Sequence, residues 1–461
     1  MTKILLIKPT PGNIVHAQVT PPLGLMYLAS ALRQADNYDI RIMDMRLMPG
    51  DLDHTLREIR QMAPDIVGIS TFTLESDRVH ALSRALKAFQ APPHVVVGGP
   101  YPTSDPHGAL DDPHIDLAVL GEGEITFPQV VRHLESGSRQ GLEDIPGIAF
   151  RRNGTILHTS PRDEIADTNT LPFPAWDLVD MDAYAKSERF TNLRKNRYMS
   201  LFTSRSCPYQ CIYCHRIFGK GFRPRSPENV MDEIEILVRK YNIREIEIID
   251  DIFNLDSQRA EAICDLIVQR GLNIKIAFPN GMRGDLLTQP LLRKMKKAGA
   301  HFLSIAVETG SPRLQESIRK NLDLTRVNQT INMAADLGIT TLGFFMLGFP
   351  TETREEILAT VDFACQSRLN FASFFTVTPF EGTGLYDLCL PKLKELGGTD
   401  SLDFHRDAFN LSNVPDKEFF RIRRQAYRRF YSRALSRILF SKAYRDVSLM
   451  QAMRLTSRRV L

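Results

Sequence analysis

Cys207-Pro208-Tyr209-Gln210-Cys211-Ile212-Tyr213-Cys214 places three of the chain's six cysteines within eight residues, on a loop that follows the apolar run Met199–Ser204. Three thiolates on one short loop can each take one iron of a cubane iron–sulfur cluster. The fourth iron then has no protein ligand and stays open to an exogenous one. A structural zinc ion is the competing reading. Zinc wants a fourth ligand, and His215, directly adjacent, bends poorly back onto the same metal. Cys264, Cys365 and Cys389 are scattered and read as small buried hydrophobes. Six cysteines in 461 residues are too few for a disulfide scaffold, so a reducing compartment and metal or redox chemistry fit the clustered three.

Outward from this loop the chain reads as two βα series. The downstream series has strands predicted at Met199–Ser204, Glu245–Ile249, Ile274–Phe278, Phe302–Val307, Thr341–Leu347 and Ser373–Thr378. Helical patterns fall between them, as in Pro227–Lys240 and Arg354–Ser367. Six such units suit a partial (β/α)6 TIM-type barrel over residues 196–385, with reactive groups at the carboxyl ends of the strands. The upstream series, residues 1–140, has strands predicted at Ile4–Lys8, Ile40–Asp44, Asp65–Ser70, Val95–Gly98 and Leu117–Leu120. This alternation predicts a doubly wound, Rossmann-like parallel sheet that takes its ligand beyond the strand ends. The fold class is thus α/β. Residues 141–195, with Leu171-Pro172-Phe173-Pro174-Ala175-Trp176, read as a linker, and 386–461 as a C-terminal helical basic region.

Hydrophobic content of 43% and charged content of 24% describe an ordinary soluble protein. No stretch approaches the ~20 apolar residues of a membrane span. Met1–Lys8 reads as a strand rather than a signal peptide, so the expected location is the cytoplasm. Net charge is +4 but uneven: Lys417–Leu461 holds thirteen Lys and Arg against Glu418 and Asp446. Phe419, Phe420, Ile422, Ala426, Phe430, Ala434, Leu435 and Ile438 recur there at helical spacing. The predicted element is a helix packed on the barrel with solvated arginines; a peripheral face for an anionic membrane or lipid-like substrate is the sharper reading. No nucleic-acid-binding module is recognised.

The CxxxCxxC spacing, with Tyr213 before the last cysteine at the end of the first barrel strand, resembles the radical S-adenosylmethionine (SAM) superfamily. The resemblance implies a 4Fe–4S cluster on Cys207, Cys211 and Cys214, with SAM on the open iron. It also implies reductive cleavage of SAM to a 5′-deoxyadenosyl radical, and an external electron donor such as flavodoxin or ferredoxin. By the same resemblance Tyr213 lies near the adenine, and Asp250, Asp251, Arg283, Glu308 and Gly348 contact SAM, although the family's usual Gly-Gly-Glu is absent at Asp250-Asp251. Thr20-Pro21-Pro22-Leu23-Gly24, Asp65–Ser70, Val97-Gly98-Gly99-Pro100 and Leu120-Gly121-Glu122-Gly123-Glu124 are similar to the cobalamin-binding domain fused in front of many radical SAM enzymes. That likeness assigns Pro22, Leu23, Gly24, Ser70, Thr71, Phe72, Gly98, Gly99, Pro100, Tyr101, Gly121, Glu122 and Gly123 to cobalamin. There is no Asp-x-His-x-x-Gly, so the cobalt is expected to lack a histidine on its lower face, and Phe72 is expected there.

Together the two likenesses imply a cobalamin-dependent enzyme that methylates an unactivated carbon of a small-molecule or lipid-like substrate, through the 5′-deoxyadenosyl radical and methylcobalamin. Ring formation, rearrangement or oxidation without methyl transfer is the alternative within the family, and a non-catalytic cobalamin/SAM-binding sensor is the alternative outside it. The substrate is expected near Phe345, Phe374 and Phe375.

Overall fold

The apolar runs at the front of the chain form one sheet: β1 (Lys3–Lys8), β2 (Asp39–Asp44), β3 (Ile66–Ser70), β4 (His94–Gly98), β5 (Leu117–Val119), β6 (Ile148–Arg152) and β7 (Thr155–His158). The computed structural model describes residues 1–10, 19–48, 52–138, 140–187, 197–395 and 410–440. The chain divides into two units, Met1–Arg189 with Arg216–Gly219, and Phe190–His215 with Lys220–Leu461.

In the first unit the strand order is β2-β1-β3-β4-β5-β6-β7, parallel from β2 to β5. The inner parallel strands β1, β3, β4 and β5 are largely apolar on both faces because helices cover both, while the edge strand β2 exposes Arg41. Leu6, Val96 and Phe127 belong to one packed layer, and Leu5, Val67, Val95 and Val97 to the other. The order reverses between β1 and β3, and such a reversal opens a crevice at the strand carboxyl ends.

Residues 141–195, expected as a linker, are folded over most of their described length. β6 pairs antiparallel with β5, and β7 with β6. The signal passed over is Asn153-Gly154, with φ of 52° and 79°. That pair favours a two-residue hairpin because both positions need positive φ. The Pro-rich strap is also held: Ser30 Oγ donates to the Phe173 carbonyl at 2.7 Å, and Ala175 N–H to Met26 O at 3.1 Å. Trp176 is buried.

The second unit holds a sheet of β8 (Tyr198–Leu201), β11 (Glu245–Ile248), β12 (Lys275–Met282), β13 (Ala300–Glu308), β14 (Thr340–Leu347) and β15 (Phe371–Thr376), all parallel and in chain order. A two-stranded ribbon, β9 (Ser204–Arg205) with β10 (Arg223–Pro224), sits between β8 and β11 in sequence. β15 is an edge, and the helix Asp416–Phe440 covers it. Tyr427 Oη accepts from Phe374 N–H at 2.9 Å, while Arg423 Nε donates to Phe374 O at 2.9 Å and Tyr431 Oη to Ala372 O at 3.1 Å. Side chains thus occupy part of a missing strand's place. Phe419, Ile422, Ala426, Phe430, Ala434 and Ile438 face the core, and Arg421, Arg424 and Arg428 face solvent, as the helical spacing predicted; Phe420 is half-buried, and Leu435, expected on the apolar face, is exposed. The basic segment 441–461 lies outside the described residues. No helix among the described residues is long and apolar enough to cross a membrane.

A second expectation is corrected. Phe345 and Phe374 are fully buried, stacked on each other at 5.3 Å, and Phe374 meets Tyr427 at 5.2 Å. They belong to the core beneath the C-terminal helix. Strand alternation puts Phe344 and Phe375 on the opposite face, half-buried and 5.7 Å apart. Phe374→Ala therefore lowers unfolding free energy by ~3–5 kcal/mol, as deletion of a buried ring does. Phe375→Ala costs well under half of that. Denaturant titration of the two variants checks the difference.

Candidate functional site

The cysteine loop begins directly after a buried anchor. Asp250, at the end of β11, accepts from Thr203 N–H and Ser204 Oγ, both at 2.6 Å, and from the Thr203 hydroxyl. Arg259 donates to Thr203 O and, at 2.7 Å, to Arg225 O. Arg225 in turn pairs with the buried Glu233 at 2.5 Å. Asp250 was expected to contact SAM. Its carboxylate instead turns inward and is used by the loop's own root, because two hydroxyls and an N–H offer it a complete set of donors. The neighbouring Asp251 is the one exposed at the strand end, with its carboxyl pushed up to about 6 by poorly solvated surroundings and by Asp250.

Beyond this root, Ser206 takes a φ of 67°, a left-handed value that turns the chain sharply into Cys207. The far side of the loop is tied to two other segments. Ile212 N–H donates to Ile318 O at 3.1 Å, Leu385 N–H to Ile212 O at 2.8 Å, and Cys211 Sγ lies 3.7 Å from Arg319 O. Cys207 is half-buried, Cys211 buried and Cys214 exposed. A hydrogen bond from Cys214, assisted by the Lys320 ammonium, draws the Cys211 thiol down to about 6. Among the described residues no three His, Cys, Asp or Glu side chains converge on one point to hold a single ion. A cubane does not ask for that, since its three thiolates go to three irons. The donor set fits such a cluster better than a zinc ion.

The other strand ends turn toward this loop. Glu308, the last residue of β13, has a φ of 66° and lies 3.3 Å from Lys320 Nζ. Burial alone would lower the Lys320 ammonium, but Glu308, Cys211 and Cys214 more than offset it, and its pKa rises. Lys320 and its flanks, Arg319 and Asn321 with φ of 55° and 52°, escaped the sequence reading. Their only signal was position, one loop after Glu308. Arg283, expected at SAM, is committed elsewhere. It donates to Lys320 O at 2.8 Å and Asn321 O at 2.9 Å, pairs with Asp285, and lies 4.0 Å from the centre of the Tyr209 ring. It therefore braces the cysteine loop against the 319–321 turn. Tyr213 is half-buried, 6.2 Å from Phe349. Gly348 has a φ of 98°, and a Cβ there would meet the Phe419 ring at 3.0 Å, so only glycine fits. The Gly348 and Phe349 N–H groups donate to Glu352 Oε2 at 2.6 and 3.0 Å.

In the first unit the expected ligand residues separate into two groups. Pro22, Leu23 and Thr71 are buried, and Tyr101 is turned inward, its hydroxyl 3.0 Å from His80 Nε2. His80 Nδ1 in turn meets Asp112 at 2.8 Å. Glu122 accepts from Ile165 N–H at 2.8 Å, and a Cβ on Gly123 would strike Leu28 at 2.9 Å, so these two serve packing. Gly99, with φ of 94°, lies tight against Thr71. What remains at the carboxyl edge is small and open: Gly24 and Gly121 have nothing within 4 Å of a built Cβ, and Ser70, Gly98, Gly99 and Pro100 are half-buried. Phe72 stands out at 53% exposure. An edge of open glycines beside the strand-order reversal fits a broad planar ligand such as a corrin.

Comparison with known proteins agrees with both halves. Residues 10–131 match the family described as B12 binding domain, and residues 201–364 match the Radical SAM superfamily. The chain is 34% identical over 394 residues to a protein of Pyrococcus horikoshii named as an uncharacterized methyltransferase, covering 84% of this chain and 83% of the relative. It is 30% identical over 440 residues to the cytidylyl-2-hydroxyethylphosphonate methyltransferase of Streptomyces wedmorensis, covering 84% and 82%. In fold it is similar to the cobalamin-dependent SAM radical enzyme OxsB with aqua-cobalamin and SAM bound. The TM-score is 0.74 at 17% identity, over 99% of this chain and 70% of that one.

Glu352 supplies a pH test of this geometry. Burial pushes its carboxyl up from 4.5 to about 8, against the two N–H donors. A raised acid favours the folded state as the neutral form. Its contribution is complete below about 4.5 and is lost as pH rises through about 8, with a slope of at most ~1.4 kcal/mol per pH unit. Glu352→Gln keeps an acceptor for the two N–H groups and removes the titration. Thermal unfolding followed from about pH 5 to about pH 9 shows a loss in the parent chain that this variant lacks; parallel curves would exclude a buried neutral acid.

Proposed function

This chain belongs to the cobalamin-dependent radical SAM enzymes, and from that premise we propose a methyltransferase acting on an unactivated carbon of a small-molecule or lipid-like substrate. The observation that carries the reading is the three-thiol loop at the end of the first barrel strand, joined in one chain to an open-edged, switched parallel sheet. Cys207, Cys211 and Cys214 would hold the 4Fe–4S cluster, and the glycine edge of the first unit would hold cobalamin. When bound, the cluster would supply the electron that cleaves SAM to methionine and a radical that takes a hydrogen atom from the substrate carbon, and cobalamin would supply the methyl group.

This chain's own residues do the placing. Glu308 and the exposed Asp251 stand at strand ends where an ammonium group would find carboxylates. Gly348 lets the turn after β14 close against the Phe419 ring, and Tyr213 would flank the adenine. Lys320 sets a positive charge beside the thiols, favouring their ionised form. Half-buried Phe344, Met346 and Phe375 give β14 and β15 an apolar wall suited to a substrate with little charge. The electron comes from an external donor, flavodoxin or ferredoxin. Peripheral contact with an anionic membrane rests on the solvent-facing Arg421, Arg424 and Arg428.

Oxygen-free reconstitution with iron, sulfide and cobalamin, followed by mass spectrometry of products, is the test. A methylated product with S-adenosylhomocysteine is expected. 5′-Deoxyadenosine without S-adenosylhomocysteine would replace methyl transfer by rearrangement or oxidation, and neither product would replace catalysis by sensing. Cys211→Ala should abolish turnover and bound iron while leaving cobalamin retention intact; unchanged turnover would end the proposal.

A further inference from the structure

The carboxyl ends of β1 and β3, where the strand order reverses, carry an arrangement that packing alone does not explain. Lys8, the last residue of β1, is 5% exposed. Its Nζ lies 2.7 Å from Glu75 Oε1, and the ion pair is buried on both sides. Glu75 Oε2 also accepts from Phe72 N–H at 2.9 Å, and Lys8 Nζ stands 4.4 Å from the centre of the Phe72 ring. One carboxylate therefore fixes the backbone of Phe72 while the ammonium it binds holds the ring. Among the described residues, Asp44 and Arg46, on the adjoining strand end, are the other charges facing Lys8, and they pair with each other at 2.6 Å. The ring so gripped remains 53% exposed. A large apolar side chain held outward by a buried ion pair is a surface presented to something, because a buried pair is costly and apolar exposure gains nothing.

We propose that the Lys8–Glu75 pair is a positioning device that holds the Phe72 ring as the floor of the corrin site, so that the lower face of the cobalt meets an aromatic surface without a ligating atom. This rests on the first unit binding cobalamin, which is read separately from the absorbance that stays with the protein through gel filtration. Lys8 and Glu75 act through Phe72 and touch no reacting atom.

The test is the electron paramagnetic resonance spectrum of cob(II)alamin bound to the full chain. In the parent protein no nitrogen splitting is expected. Splitting there would mean a nitrogen already fills the lower position and would overturn the inference. Phe72→His puts an imidazole where the ring stood, and a three-line nitrogen splitting should appear; retained cobalamin with an unchanged spectrum would overturn the placement. Adding Lys8→Met and Glu75→Leu to Phe72→His exchanges the ion pair for apolar groups of similar size, a change that often preserves folding. The splitting should then fall by at least ~10-fold in the fraction of ligated cobalt. Phe72→His with Glu75→Asp keeps both charges but draws the carboxylate back by one methylene from the Lys8 ammonium and the residue 72 N–H, and should weaken the splitting with no charge removed. Full splitting in both combinations would show the clamp to be idle. A parent chain that retains no cobalamin would remove the floor along with the reading beneath it.

Discussion

A loop that offers three thiols to one cluster has to be rigid before the cluster arrives, and here rigidity comes from a buried carboxylate that never touches a thiol. Asp250 lies in an environment that pushes its carboxyl upward in spite of Arg259 and three hydrogen-bond donors. Isolated, such a charge would cost several kcal/mol. It is tolerated because Thr203 and Ser204 surrender their donors to it, and that surrender fixes the four residues leading into Cys207. The ribbon of β9 and β10 then ties the two ends of the cysteine loop together. On the opposite side the 318–321 turn receives Ile212 and Cys211, and Arg283 bonds that turn from beneath while stacking on Tyr209. The loop is thus gripped from β11, β12 and the segment after β13. Removing any one grip would leave the thiols attached but not aimed.

The architecture was legible because its signal is repetition. Short apolar runs ending at glycine or polar turns recur often enough that no single misread boundary changes the order of strands. The three thiols were legible because cysteine is rare and their spacing is chemically demanding. What escaped depends on direction rather than identity. Asp250 and Asp251 are the same residue type one position apart, just past β11, yet one turns inward to the loop root and the other to the surface. Phe344 and Phe345 differ in the same way, so an aromatic run named the wall but not which ring faces it. Tyr101 stands in the expected place, but His80 and Asp112, distant in sequence, turn its hydroxyl away. Asn153-Gly154 was readable and was outweighed by the prolines that follow it.

The C-terminal helix shows a different economy of parts. A parallel sheet that stops at six strands leaves β15 with unpaired backbone groups, an edge open to association. Tyr427, Tyr431 and Arg423 supply side-chain partners to that edge, while Phe419 reaches the turn at Gly348. The arginine-rich composition that first suggested an external surface therefore has an internal duty as well. One helix face caps the sheet and supports the turn at Gly348, and the other carries the charge.

The two units solve opposite problems at the same end of a parallel sheet. A cluster and its ligand are small and directional, so the second unit crowds its strand ends with strained backbone and paired charges. Ser206, Glu308, Arg319, Asn321 and Thr351 all hold positive φ there, conformations that ordinary side chains keep only when their surroundings impose them. A corrin is broad, and the area proposed for it in the first unit is the glycine, serine and proline at the ends of β3 and β4, beside the paired charges that end β1 and β2. Among the described residues of that edge, the ion pair under Phe72 is a buried, built feature, as are Asp44 with Arg46 and the chain from Tyr101 through His80 to Asp112. On the reading proposed above, construction effort in each unit falls where a metal's coordination would be decided. The second unit would supply three ligands and leave one position open. In the first, a buried ion pair would hold in place a side chain that can supply none.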